Sequence, residues 1–489
     1  MRTSGILLAV SSLPSQYGIG DFGKEAYTFI DLLVKSKMKL WQVLPLNPLG
    51  YGNSPYQPYS SKAMDELYLS LDLLHEQGLI KKPKPFNANA TKVAYDTVRQ
   101  FKSKYFQEAF ANFRPNTAYL NFLKENPWVE MYAIFVTFKE QHQLQMWTTW
   151  QKEFKTYVKN KALDLTPYLP RIQYHQMIQF LLFQQFYALK QYANRQGIQL
   201  VGDIPIYVGI DSIDVWMNQS QFMITSEGEP THIAGVPPDY FSKTGQRWGN
   251  PLYRWDVMEK DGFKFWIDRL GFNATLFDII RIDHFRAFDT YWKIPASCPT
   301  AVEGAWIEAP GYALFDTIYQ QLPKINIIAE DLGDLRPQVL ALRDHYHLPG
   351  MKIFQFEFPI YPDGNGTMPK PIVPTFVDNA VAYTGTHDNQ TTMGWYQNLK
   401  LSSQEQLKIF LKGLQGTIAE QLCQLTLNSA VKYAILPMQD ILSLDDQARM
   451  NVPGTIGSPN WEWKLKDFTL YEKRINTIKT WVVNAKRSD

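Results

Sequence analysis

Cysteine is nearly absent: the 489 residues contain two, Cys298 and Cys423. Two are too few to staple a chain of this length through a disulfide framework, and their scarcity fits a reducing cytoplasm, the compartment expected here. Charge of one sign is missing as well. Lysine and arginine total 49 against 47 acids, a formal net charge of +2, so no basic field exists to gather nucleic acid or an anionic membrane. The densest basic run, Lys81-Lys82-Pro83-Lys84, reads as a solvated linker. No apolar stretch approaches the ~18 residues that a membrane helix requires. The run Ile6-Leu7-Leu8-Ala9-Val10 follows Arg2 in the manner of a signal peptide, but it falls short of the ~7–15 apolar residues such a region uses. It is expected to be a buried strand. No internal repeat or low-complexity tract occurs.

Aromatic side chains are plentiful: 14 Trp, 27 Tyr and 29 Phe make up 14% of the chain, within a hydrophobic total of 45% that allows a large core. Most are expected in that core. Those in loops offer flat faces with one polar edge, a shape suited to stacking on sugar rings. Short apolar segments alternate with helix-period ones, the pattern of parallel βα units. Strands are predicted at 5–10, 40–44, 198–202, 276–282, 325–329, 351–354, 380–384 and 433–436, and helices at 24–35, 173–195, 263–269, 336–345 and 403–414. Eight strands with intervening helices predict an α/β fold, a single (β/α)8 TIM barrel over residues 1–489. Two gaps are too long for plain connections. The first, about 55–170, carries helical patterns at 104–124 and 129–145 and is expected to be a helical subdomain inserted between the second and third strands. The second, about 204–261, is rich in glycine, proline and aromatics with little periodicity, and is expected to be a long lid and substrate-binding loop.

Enzymes of this fold place their chemistry at the C-terminal ends of the strands. The fourth strand ends Arg281-Ile282-Asp283-His284. Alternation puts Arg281 and Asp283 on one face, where the guanidinium is expected to lower the carboxyl's pKa and keep it ionised, as a nucleophile requires. A structural ion pair explains this motif by itself equally well. The fifth strand ends Ala329-Glu330-Asp331, with Glu330 a candidate general acid and Asp331 a cap or scaffold. The seventh leads into Gly385-Thr386-His387-Asp388-Asn389, where small residues let the backbone approach a ligand. His387 taken alone is more often structural. Asp203, after Gly202 on the third strand, is expected to position substrate or support the fold. Together Asp283, Glu330 and Asp388 suit the cleavage and re-formation of glycosidic bonds. Retaining enzymes pair a nucleophile with an acid about 5–5.5 Å away, a separation that neighbouring strand ends can supply. Asp283 would form a covalent glycosyl-enzyme, Glu330 would act as acid and then base with a pKa raised by nearby carboxylates, and Asp388 would hold ring hydroxyls.

Two rivals compete. A metal-dependent barrel hydrolase would use His284, His387 and nearby acids, but no histidine occurs at 6–12, and the one H-x-H, His345-Tyr346-His347, falls near a predicted helix end. A glucan-binding protein without activity would not need a nucleophile and an acid at separate strand ends.

The same acids, in this order on a barrel, resemble those of the α-amylase clan. More narrowly, Ser12-Leu13-Pro14, Gly18-Ile19-Gly20-Asp21, Trp41-Gln42-Val43-Leu44-Pro45-Leu46, Gly52-Asn53-Ser54-Pro55-Tyr56, Gly235-Val236-Pro237-Pro238-Asp239-Tyr240-Phe241, Arg247-Trp248-Gly249-Asn250-Pro251 and Arg449-Met450-Asn451-Val452-Pro453-Gly454 resemble the amylomaltase, or 4-α-glucanotransferase, family (glycoside hydrolase family 77). The resemblance spans nearly the whole chain. It implies retaining transfer of a 1,4-α-glucan segment from a maltodextrin donor to the 4-hydroxyl of an acceptor glucan or glucose. Asp283 would be the nucleophile, Glu330 the acid/base and Asp388 the transition-state stabiliser. Sugar contacts would come from Ser54, Tyr56, Asp203, Trp248, Arg281, His284 and His387, with Tyr240 and Phe241 on the lid near the acceptor sites. No metal or cofactor and no obligatory protein partner are implied, only malto-oligosaccharides, amylose or starch-derived glucans. Three positions depart from the family pattern: Ala9 where His is usual, Gln390 where a further Asp is usual, and Glu66-Leu67 in place of Asn-Pro. Phe241→Ala is expected to shift product ratios from maltotriose towards hydrolysis. Unchanged transfer and hydrolysis rates would refute that.

Overall fold

The computed structural model describes residues 2–86, 90–238, 242–333, 335–358 and 377–488. The strands, in chain order, are β1 (Thr3–Leu7), β2 (Leu40–Gln42), β3 (Gln199–Ile204), β4 (His232–Val236), β5 (Gln246–Pro251), β6 (Ile279–Ile282), β7 (Thr290–Pro295), β8 (Ala305–Glu308), β9 (Ile327–Ala329), β10 (Gly350–Ile353), β11 (Ala380–Tyr383) and β12 (Tyr433–Pro437). Eight of them close a barrel in the order β1-β12-β11-β10-β9-β6-β3-β2. Every barrel pair is parallel, and the register joins Gly5 to Leu40 and to Ile435 across the seam. Residues of β6, β9 and β11 are buried throughout, because helices cover the outer face while side chains fill the interior. Such strands therefore read as continuous apolar runs.

Several predicted boundaries move for local reasons. The first strand stops at Leu7, and Val10–Ser12 forms a 3₁₀ turn. The fourth begins at Ile279 because Leu276 still belongs to the helix Lys264–Leu276. The helical pattern at 104–124 is two helices, Tyr95–Asn112 and Thr117–Glu125. Pro115 interrupts them, and the Asn116 side chain caps the second by accepting from Tyr119 N. The chain between β2 and β3 is mainly helical and ends in the long crossover helix Leu169–Arg195. Its Phe106, Phe138 and Phe183 belong to the same contiguous core as Ile6, Leu200 and Ile280 of the barrel.

The largest departure lies in 204–261, which is less irregular than its sequence suggests. It contains the helix Ile213–Met217 and the strands β4 and β5. These join β7 and β8 in a second sheet of order β5-β4-β7-β8, antiparallel throughout. Gly235, Gly249 and Pro251 dilute the alternation that would have marked these strands, and a register shift between Ile233 and Gly235 breaks it further. Its strands β4 and β5 follow β3 in the chain and β7 and β8 follow β6, and Trp248 of β5 meets His284 just beyond the end of β6.

At the opposite end the C-terminus is clamped by Arg487, which is fully buried. Its Nε donates to Leu427 O at 2.6 Å, Nη1 to Thr3 O at 3.0 Å, and Nη2 to Ser429 O at 2.8 Å and Val431 O at 2.9 Å. Arg487→Ala strands these buried carbonyls and is expected to lower stability by about 3 kcal/mol, read as a fall in the urea midpoint with an unchanged slope. No helix among the described residues is long and apolar enough to cross a membrane.

Candidate active site

The register of the barrel builds the site. Asp203 on β3 pairs directly with Arg281 on β6, and Ile282 of β6 pairs with Ala329 of β9. Asp283 and Glu330, each one residue further on, thus leave two adjacent strands side by side at the barrel mouth. Their backbones are fixed there: Asp283 N donates to Ile204 O at 3.0 Å and Glu330 N to Ile282 O at 3.0 Å.

Arg281 is buried and serves two carboxylates at once. Its Nη1 donates to both oxygens of Asp203 at 2.7 Å, and its Nη2 donates to Asp283 Oδ1 at 2.9 Å. Tyr56 Oη donates to Asp203 Oδ2 at 2.7 Å. Asp203 therefore neutralises and orients the guanidinium, and the guanidinium orients Asp283. The expected lowering of Asp283 by Arg281 is real but is not the net result. Burial lifts the Asp283 carboxyl above its usual range, Arg281 draws it back, Asp203 and Asp388 push it up again, and His387 opposes them. Sequence reasoning counted the partner and could not see the desolvation.

Glu330 is pushed up to about 8, first by burial and then by the charge of Asp283, with Arg281 and two backbone N–H donors pulling the other way. Those donors are His284 N to Oε2 at 2.6 Å and Leu332 N to Oε1 at 3.0 Å. His284 reaches Glu330 because its backbone is left-handed, φ 54°, a conformation non-glycine residues rarely adopt and which tends to collect at functional sites. The direct guanidinium bond goes to Asp283, so the proton of the coupled pair rests on Glu330. His284 itself is held neutral, its pKa depressed to about 3 by burial and by Arg286, and its ring stands edge-on to Trp248 at 4.8 Å and 86°.

Asp388 is the most open of the three acids, with its side chain 45% exposed. Asn451 Nδ2 donates to its Oδ1 at 2.6 Å, Arg449 Nη2 donates to its backbone O at 2.9 Å, and His387 Nε2 lies 3.5 Å from its Oδ2. His387 is buried and stacks on Tyr56 at 5.1 Å and 15°, and Trp461 packs against both rings. Gly385 is small for a reason other than ligand access: a Cβ there would meet Gln355 Nε2 at 2.8 Å and Asn389 Cβ at 3.1 Å. Ser54 caps a turn by accepting from Tyr56 N at 3.3 Å. Asp331 behaves as a scaffold, accepting from Met351 N at 2.7 Å and pairing with Arg343. Tyr240 and Phe241 lie outside the described residues.

The structure brings Tyr56, Asp203, Arg281, Asp283, His284, Glu330, His387, Asp388 and Trp248 together at the barrel mouth. The sequence reading assigns no part to Asn451 or Arg449, which orient Asp388 from more than 60 residues away. They stand in a loop without periodicity, and nothing local in the sequence points to their target. Among the described residues no group of three or more histidine, cysteine or acidic side chains is placed to hold a metal.

A family profile describing 4-α-glucanotransferases matches residues 8–470. The chain belongs to the 4-α-glucanotransferase family. It is 41% identical to the 4-α-glucanotransferase of Thermus thermophilus over 488 residues, covering 95% of each chain. It is 40% identical to that of Streptococcus pneumoniae over 478 residues, 95% of this chain and 94% of the relative. The structure of amylomaltase from Streptococcus agalactiae in complex with acarbose matches with a TM-score of 0.94 at 35% identity, covering all of both chains. Set in a 4-α-glucanotransferase, the three departures find local roles. Ala9 lines a cavity of about 20 Å³ beside His387 and Thr386. Gln390 Nε2 donates to Asp446 Oδ2 at 2.5 Å. Glu66 pairs with Arg99 at 3.1 Å.

Proposed function

We propose that this 4-α-glucanotransferase works by double displacement at Asp283, with Glu330 as acid/base and Asp388 as transition-state stabiliser. A maltodextrin donor lies across the barrel mouth. Glu330, protonated near neutral pH, gives its proton to the leaving glycosidic oxygen while Asp283 attacks the anomeric carbon. The leaving portion carries away a free 4-hydroxyl. Glu330, now ionised, takes the proton from the 4-hydroxyl of an incoming glucan or glucose, whose oxygen displaces Asp283 and restores an α-1,4 bond. Asp388 accepts from ring hydroxyls, and Asn451 and Arg449 hold it in place. Tyr56, Asp203, Trp248, Arg281, His284 and His387 line the sugar sites, with Ser54 fixing the turn that carries Tyr56. Tyr240 and Phe241 are assigned to acceptor binding on the family resemblance, where aromatic rings would favour sugar over water.

The observation that carries this reading is the division of labour on adjacent strand ends: one carboxylate bonded to a guanidinium, the other raised to about 8. Malto-oligosaccharides, amylose and starch-derived glucans are the substrates we assign, and the two free cysteines support a reducing cytoplasmic location. Incubation with pure maltotriose tests the reaction class. Transfer yields free glucose and a ladder of longer maltodextrins, whereas maltose and glucose with no longer product would mean hydrolysis.

Asn451→Ala tests the part given to Asp388. Loss of the 2.6 Å anchor lets the carboxylate drift, and kcat and kcat/KM are expected to fall together by up to roughly 100-fold, since the lost contact serves the transition state. Initial rates on maltotriose decide it; a rise in KM with kcat intact would assign Asp388 to ground-state binding instead.

A further inference from the structure

The second sheet ends in an edge strand that does not hide its largest side chain. Trp306 on β8 is 39% exposed, an unusual fate for a tryptophan in a chain that buries Trp41, Trp147, Trp216 and Trp266 almost completely. Its ring is not loose. Trp306 pairs in register with Trp292 on β7, whose ring stands 5.2 Å away at 62°. The Arg286 guanidinium lies 4.0 Å over the Trp306 ring. Trp292 is itself locked, its indole donating to Ala301 O at 2.9 Å while Gly304 lets the backbone lie against its ring.

Trp306 is linked to the candidate site through Arg286. Arg286 follows His284 by two residues and depresses its pKa, and His284 meets Trp248 on β5 of the same sheet. The guanidinium that lies over Trp306 is thus the one whose charge is felt at His284, the ring neighbour of Trp248. Glu308 shares the strand face of Trp306 and presents a carboxylate 84% exposed. An ordered, partly exposed flat ring with a polar N–H edge and a nearby carboxylate has the chemistry of a sugar platform.

We infer that Trp306, held by Trp292 and Arg286, is a remote glucan-binding platform on which a long α-1,4-glucan chain stacks as it leaves the cleft. The inference rests on the glucan reading proposed above, and it adds a residue that serves long chains selectively. Because the ring is already ordered, stacking on it forfeits little side-chain freedom.

Retardation of the native protein and of its variants by soluble amylose in non-denaturing gels reads binding without turnover. Trp306→Ala is expected to weaken amylose affinity roughly tenfold, while calorimetric affinity for maltotriose changes less than about twofold. Trp306→Phe, which keeps a flat ring, is expected to recover most of the amylose affinity. Equal retardation of Trp306→Ala and the native protein would overturn the inference. So would an equal loss for maltotriose, or a Trp306→Phe variant as weak as Trp306→Ala. A native protein retarded by amylose through Trp306 but forming no ladder from maltotriose would leave the platform standing and refute the transferase chemistry instead.

Discussion

Asp283→Asn is expected to lower kcat on maltotriose roughly 10⁴-fold or more, the scale seen when the nucleophile of a covalent mechanism is removed. The substitution is chosen to be nearly isosteric. The asparagine oxygen can still accept from Arg281 Nη2, and Asp203 keeps its two bonds to the same guanidinium, so the buried cation is not stranded. The loss should therefore fall on chemistry and not on folding, with oligosaccharide affinity retained within a few-fold. A second effect follows from the coupling. The charge of Asp283 raises Glu330, so its removal lets the Glu330 pKa descend. Turnover within tenfold of native, or lost oligosaccharide binding with a lowered melting temperature, would count against a nucleophilic Asp283.

The second large effect belongs to Glu330. As the proton donor with a pKa of about 8, it is competent below that value, and kcat/KM is expected to decline as pH rises through it. Glu330→Gln is expected to cost roughly 10²–10⁴-fold with oligosaccharide donors and to abolish the alkaline limb of the profile. A glucosyl fluoride, whose leaving group needs no protonation, should still form the covalent intermediate. The same shift appears in stability. Between about 4.5 and 8 the native state retains a proton that the unfolded chain has already released. Stability contributed by the neutral form is therefore fully present below 4.5 and declines as pH climbs to 8, and Glu330→Gln should flatten that slope. A profile that keeps its alkaline limb in Glu330→Gln would give the role to another group.

The barrel was legible because its strands are buried on both faces and read as apolar runs at regular intervals. The acids were legible because a strand that ends in charge after such a run has few other reasons to do so. What escaped was of two kinds. The sheet β5-β4-β7-β8 escaped because its strands are short, bulged and interrupted by glycine and proline. Asn451, Arg449 and Trp461 escaped because loop residues carry no periodic signal, and their partners, Asp388 and His387, lie far away in sequence. The direction of the Asp283 shift was misread for a related reason: a neighbouring guanidinium is visible in sequence, whereas desolvation is a property of the assembled site.

The most direct measurement of the proposed chemistry uses Glu330→Gln and α-maltotriosyl fluoride. Fluoride departs without acid assistance, and the variant lacks the base that would activate an acceptor, so the glycosyl-enzyme should accumulate. Peptide mass spectrometry after acid quench is expected to show one maltotriosyl adduct, on the carboxylate of Asp283. An adduct on a different residue, or release of fluoride with no adduct at any time point, would contradict covalent catalysis at Asp283.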